Sequence, residues 1–190
     1  MRRLATRDVL TPPPRRSVVT IGMFDGMHIA HQRLIRTAVR WARRLRGTSV
    51  AVTFDPDPQR VLDPGHTTPP LMPLARRVEL IRALGVERVR VIPFTRAFSR
   101  VTPERFVQTT LVQQLHAVGV VVGENFAFGN ARRGTLALLR ALGRTHRMRV
   151  VTLAPVMREG WPVSSSRIRQ LIQHGELDRA RRLLGRPVEL

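Results

Sequence analysis

His28 and His31 lie three residues apart in the stretch GMFDGMHIAH, where a glycine-containing turn leads into a helical pattern. Such a pair can ligate a metal, pack in a core, or donate imidazole N–H groups to an anion. A metal would want a third ligand, and His66, His116, His146 and His174 stand at no ligand-like spacing. The anion reading leads, because the free N–H groups and dipole of a helix start both favour negative charge. Gly22 and Gly26 permit the tight turn that brings a strand into that helix. A second cluster, VSSSRIRQLIQHG at 163–175, sets three serines before another helical pattern. Ser164 or Ser165 supplies an N-cap. Arg167 and Arg169 fall in the first turn, which the dipole disfavours for cations, so a strongly negative ligand is expected there.

Two further stretches have the composition of binding loops. In GENFAFGNARRGT (123–135), Asn125 suits a ligand or the loop's own backbone. Phe126 and Phe128 alternate, so that one is expected to face the core and the other a ligand ring. Arg132 and Arg133 sit in a Gly/Asn context that suits reaching for phosphate, or are simply solvated. In FDPDPQRVLDP (54–64), prolines 56, 58 and 64 predict a stiff extended loop, either a wall built with Phe54 and Leu62 or a plain connection.

These stretches follow short apolar runs at 17–22, 48–54, 88–94, 118–123 and 148–154, which read as buried strands. Helical spacing fills the intervals at 31–45, 74–85 and 103–119, the last with Thr102 as N-cap and Pro103 at its first position. Gly47, Gly85 and Gly119 are expected to end those helices. Strand and helix in alternation predict an α/β fold, a doubly wound parallel sheet with helices on both faces. Ligands in such sheets bind beyond the carboxyl ends of the strands, where strand order reverses.

With 190 residues, 43% of them hydrophobic, the chain suits a single domain burying ~70% of its unfolded surface. It has no cysteine, which removes disulfides, thiolate catalysis and cysteine-ligated zinc and fits a reducing cytoplasm. The start MRRLATRDVLTPPPRR has no apolar targeting core, and no run of about 18 apolar residues occurs, so no membrane is expected. The net charge is +20, yet all 33 basic residues are arginine and they are spread over every predicted helix. That pattern resembles a coding bias more than a nucleic-acid footprint, and an anionic small substrate is the better use of some of the charge.

Taken together, GMFDGMHIAHQRLI, TFDPDPQRVL, VVVGENFAFGNARRGT and VSSSRIRQLIQHGELDRARRLLGRP resemble the nucleotidyltransferase superfamily marked by HxGH and SSTxIR motifs. More narrowly they resemble the FMN adenylyltransferase module of bacterial bifunctional FAD synthetases, from about Ser17 to Pro187. The resemblance implies a Rossmann-like domain, ATP and FMN as substrates, FAD and pyrophosphate as products, and Mg²⁺ arriving with ATP. It implies catalytic roles for His28, His31, Ser164 and Arg169. Gly22, Phe24, Asp25, Gly26, Ala30, Gly123, Ser165 and Ile168 would meet ATP. Phe54, Pro56, Asp57, Pro58, Leu62, Asn125, Phe126, Phe128 and Arg132 would meet FMN. No protein-held metal is expected. The family's glycine between the histidines is Ala30 here, which raises the alternative of an impaired nucleotide- or flavin-binding paralogue. Asp57 replaces a usual histidine, which raises that of another phosphorylated acceptor. The domain is expected over 1–190, with no riboflavin kinase module.

Overall fold

Five parallel strands form the frame of the computed structural model, which describes residues 13–66 and 68–189. They are β1 (Ser17–Ile21), β2 (Thr48–Asp55), β3 (Arg88–Pro93), β4 (Ala117–Gly123) and β5 (Arg149–Leu153), in the order β3-β2-β1-β4-β5. The register runs Val19 to Val50 on one side and Val19 to Val120 on the other. Each strand lies within about a residue of its apolar run, because a strand covered on both faces has no polar side to blur its limits. The start of the chain, read for targeting signals, lies outside the described residues. Among the described residues no helix is long and apolar enough to cross a membrane.

Helices cover both faces. On one lie α1 (Ile29–Arg44) and α3 (Leu74–Ala83); the short α2 (Pro58–Leu62), which falls between them in the chain, buries none of its residues. Ile35 and Val39 of α1 and Ile81 of α3 pack there with Phe24, Ala51 and Val89. On the other face, α4 (Pro103–Arg105) runs into a π-helical segment, Phe106–Gln114, and α5 (Leu136–Thr145) lies beside it. Phe106, Leu111 and Leu139 bury there against Val19, Val50 and Val120. After β5 come the hairpin β6 (Met157–Arg158) and β7 (Trp161–Pro162), then α6 (Ser165–Gln173) and α7 (Leu177–Leu184). These two helices close their own cluster through Ile168, Leu171, Ala180 and Leu183.

Several local expectations change. The region after β2 is no extended loop: Asp57 accepts from the Gln59 N–H at 2.8 Å and Pro58 sits at the first helical position, which starts α2. Gly85 ends α3 with φ +88°, but the left-handed residues after α1 and the π-helical segment are Arg46 and His116. Gly119 lies inside β4, where an added Cβ would stand 2.5 Å from the Trp41 ring; its smallness makes room for the indole. The stretch 157–162 is a paired hairpin rather than a simple turn. Thr102 does cap α4, its hydroxyl accepting from the Arg105 N–H at 3.2 Å.

Strand order reverses between β1 and β4. The crevice there opens at the start of α1, between Gly22 and Gly123.

Candidate active site

The loop from β1 to α1 is built with its carbonyls tied down. Met23 O accepts from Thr53 Oγ1 (3.0 Å) and Arg77 Nη1 (2.7 Å), and Phe24 O from the Met27 N–H (3.1 Å). Asp25 O accepts from Ser165 Oγ (2.8 Å), Gly26 O from Arg186 Nη2 (3.2 Å) and Met27 O from Gln32 Nε2 (3.0 Å). Five successive carbonyls are thus satisfied from β2, α3, α6, the segment after α7, α1 and the loop itself. Among the described residues, the N–H groups of Phe24, Gly26, Ile29 and Ala30 have no partner within the chain. Left-handed φ values at Phe24 (53°), Gly26 (76°) and Met27 (43°) hold the turn in this form. Two of those residues are not glycine, so the packing around the loop overrides a local cost of about 1–3 kcal/mol each. The result is a concavity of N–H donors at a helix start, a general anion-binding device.

His28 caps α1: its Nδ1 accepts from the His31 N–H at 3.3 Å. The two imidazoles stack with centroids 3.5 Å apart, and the Phe24 ring meets His31 edge-on at 5.4 Å. Burial pushes the His28 pKa down to about 4, opposed by a backbone contact. His31 is pushed well below its ordinary value by burial, by His28 and by Arg77. Both rings are therefore neutral at pH 7. With Nδ1 of His28 accepting, its proton is assigned to Nε2, leaving an N–H donor rather than an imidazolium. Nδ1 of His31 is buried without a partner.

The serine and arginine cluster joins the loop from α6. Ser164 caps that helix, accepting from the Arg167 N–H at 3.3 Å. Arg169 pairs with Asp25 and donates from Nε to Pro69 O at 2.9 Å, while Asp25 also accepts from the Leu71 N–H at 2.9 Å. Arg167 donates to Arg158 O (2.8 Å) and to Glu159 (3.1 Å), a carboxylate that also holds Arg179 and Arg182. Two first-turn arginines therefore stand against the dipole because carboxylates from other segments compensate them, and no ligand is required to explain them. Nη1 of Arg169 makes no hydrogen bond to the described residues.

Other site residues expected from sequence separate into contact and support. Phe24 and Ile168 are fully buried, so they support the loop and α6 from beneath. Gly22 leaves room for the Phe24 ring, which would lie 3.0 Å from an added Cβ. The Ala30 methyl packs against the α6–α7 cluster. Gly123 borders open space at the end of β4. On the acceptor side, Phe126 and Phe128 do not divide between core and ligand: they stack on each other at 5.4 Å and both pack on the core. Their contacts continue through Phe106 and Phe98 to Phe54 and Phe94. Six of the seven phenylalanines form this chain across the ends of β2, β3 and β4. Pro56 follows Asp55, Leu62 is exposed on α2, and Asn125 and Arg132 are exposed after β4. A cavity of about 540 Å³ opens along β3 and the π-helical segment, lined by Ile92, Phe98, Val101, Arg105 and Thr109, and so shares Phe98 with the aromatic chain. None of the expected site residues lines it.

Sequence reasoning missed Arg77, Thr53, Gln32 and Arg186, which tie the loop, and Phe94, Phe98 and Phe106, which extend the aromatic chain. One signal was available for Arg77: it occupies the inward stripe of α3 with Ile81, four residues on.

The model describing the FAD synthetase family matches residues 11–167. The chain belongs to this family. A putative bifunctional riboflavin kinase/FMN adenylyltransferase of Geobacillus thermodenitrificans is 35% identical, over 90% of this chain and 91% of that protein. The bifunctional riboflavin kinase/FMN adenylyltransferase of Pseudomonas fluorescens is 33% identical, over 95% of this chain and 58% of its own length. The chain spans a little over half the length of most curated relatives it matches. A Streptococcus pneumoniae structure described as a macrolide-efflux protein superposes with TM-score 0.84 and 32% identity, covering 96% of this chain and 59% of that one. Pantoate-beta-alanine ligase of Francisella tularensis shares the fold alone, at 12% identity and TM-score 0.51, over 86% of this chain and 77% of that one. Family and fold agree with the doubly wound sheet expected from sequence.

Proposed function

We propose that the chain transfers the adenylyl group of ATP to the phosphate of FMN, giving FAD and pyrophosphate. The observation that carries this reading is the loop at the reversal of strand order, with its carbonyls held inward, its N–H groups free and two neutral imidazoles beside them. Membership of the FAD synthetase family supplies the acceptor. An FMN phosphate oxygen attacks the α-phosphorus, the bond from that phosphorus to the bridging oxygen breaks, and pyrophosphate leaves with the electron pair. The attacking oxygen is already anionic, so no general base is needed; alignment and charge stabilisation suffice. His28 and His31 donate to phosphate oxygens, and Ser164 with the spare donors of Arg169 meets them from α6. Donors fixed before the reaction avoid reorganisation as charge shifts to the leaving group.

ATP enters as its divalent-metal complex, with Mg²⁺ as our assignment. Asp25 is committed to Arg169 and the Leu71 N–H, so the phosphates carry the metal. The aromatic chain with Phe54, Phe126 and Phe128 suits a planar flavin ring, while Pro56, Pro58 and Leu62 of the β2–α2 segment flank it and Asn125 and Arg132 offer polar contacts. Asp57 caps α2, which gives this departure from the family pattern a structural role within the chain. Incubation with ATP, Mg²⁺ and FMN is expected to yield FAD by chromatography. Folded protein giving no FAD above a protein-free control overturns the assignment.

A further inference from the structure

Arg77 is the most deeply buried charge of α3, only 5% exposed, yet it lies outside every recognisable motif. Its Nη1 donates to Met23 O at 2.7 Å and lies 3.4 Å from Thr53 Oγ1, which donates to the same carbonyl at 3.0 Å. Its Nη2 lies 4.0 Å from Asp55, and its Nε is buried without a partner. Burying a guanidinium this incompletely satisfied works against stability, and an apolar side chain of the same size is often neutral or better in such a place. Stability therefore does not explain the residue. Geometry at the loop does. A trans peptide is planar, with its C=O and N–H pointing in opposite directions. Holding Met23 O towards α3 directs the Phe24 N–H away from α3, into the concavity described above.

We propose that Arg77 is a positioning residue for the triphosphate of ATP: it fixes the Met23–Phe24 peptide so that the Phe24 N–H faces the phosphates. This rests on the reading of the β1–α1 loop as the phosphate site. Burial, the stacked His28 and the Arg77 charge, in that order, lower the His31 pKa. Asp25 of the loop, Asp55 at the end of β2 and Asp57 after it act on Arg77 in the opposite sense to its burial, and Arg169 of α6 occupies Asp25.

The test compares wild type with Arg77→Met and Arg77→Lys in ATP affinity by calorimetry and in the KM-against-kcat split. For Arg77→Met, ATP affinity is expected to fall at least about tenfold, the loss typical of a hydrogen bond from a charged donor. KM for ATP rises more than kcat falls. Arg77→Lys, which keeps a charged donor, recovers part of the affinity. ATP affinity within twofold of wild type in Arg77→Met overturns the proposal. Should Arg77→Met not fold, Thr53→Val removes the second donor to Met23 O; a weaker ATP affinity is expected, and unchanged affinity overturns the proposal. Wild-type protein that fails to bind ATP removes the phosphate-site reading itself, which separates that failure from the failure of Arg77.

Discussion

The two sides of the crevice are built by different means. On the phosphate side, five consecutive carbonyls from Met23 to Met27 are each held by a donor, most of them reaching in from distant elements. On the acceptor side, ring edges and faces from Phe94 to Phe126 do the holding, and the flanking residues Leu62, Asn125 and Arg132 are exposed. The contrast fits the roles proposed above for the two sides. Charge moving between phosphate oxygens needs donors fixed in direction, since a hydrogen bond weakens steeply with misalignment. A planar ring needs area and shape, which dispersion supplies with looser tolerance.

Asp25→Ala breaks the phosphate side hardest. It strands a part-buried Arg169 and the Leu71 N–H, and a loss of about 3–5 kcal/mol is expected in chemical denaturation. Acid tests the same side without mutation. The His28 pKa is lower in the folded chain, about 4, than its ordinary 6.5, so the unfolded chain binds the extra proton first. Stability contributed by the neutral ring is intact above pH 6.5 and is lost as pH falls to 4, by about 3 kcal/mol. Melting temperatures measured across that window are expected to fall; a flat profile would place His28 in water.

His28→Ala comes next, with kcat/KM for FAD formation down about 100-fold and folding largely retained. On the acceptor side, Phe98→Ala removes a ring that touches Phe54, Phe94 and Phe106. KM for FMN is expected to rise about three- to tenfold, while KM for ATP stays put. Equal changes in both constants would erase the distinction between the two sides. The smallest effect is expected from Ala30→Gly: stability falls by about 1 kcal/mol through helix propensity and turnover changes less than about twofold, because the methyl packs on the α6–α7 cluster.

Where sequence was informative, the cause was local. Strands buried on both faces are contiguous apolar runs, and Thr102 and Ser164 cap helices that begin right after them. What escaped was set by distance along the chain. Arg77 is one arginine among many, and its partners Met23 and Thr53 lie 54 and 24 residues away. Glu159 and Asp25 pair with Arg167 and Arg169 from other segments, so the first turn of α6 alone does not show what balances their charge. The π-helical segment after α4 sets Phe106 and Val107 five residues before Leu111 and Val112, a spacing wider than that of an α-helix, which a reading for α-helical periodicity passes over. Asp57 followed by Pro58 was a legible helix start that the density of prolines obscured.

The two tryptophans carry one more consequence. Trp41 is held against the bare backbone of Gly119, whereas Trp161 stands 66% exposed on the hairpin that leads into Ser164. They form an internal optical pair, one indole in a protein-like surround and one in water, and a dissolved quencher reaches the second first. A flavin absorbs where indoles emit, so the chain holds its own fluorescent ruler for following the proposed acceptor, with no dye attached.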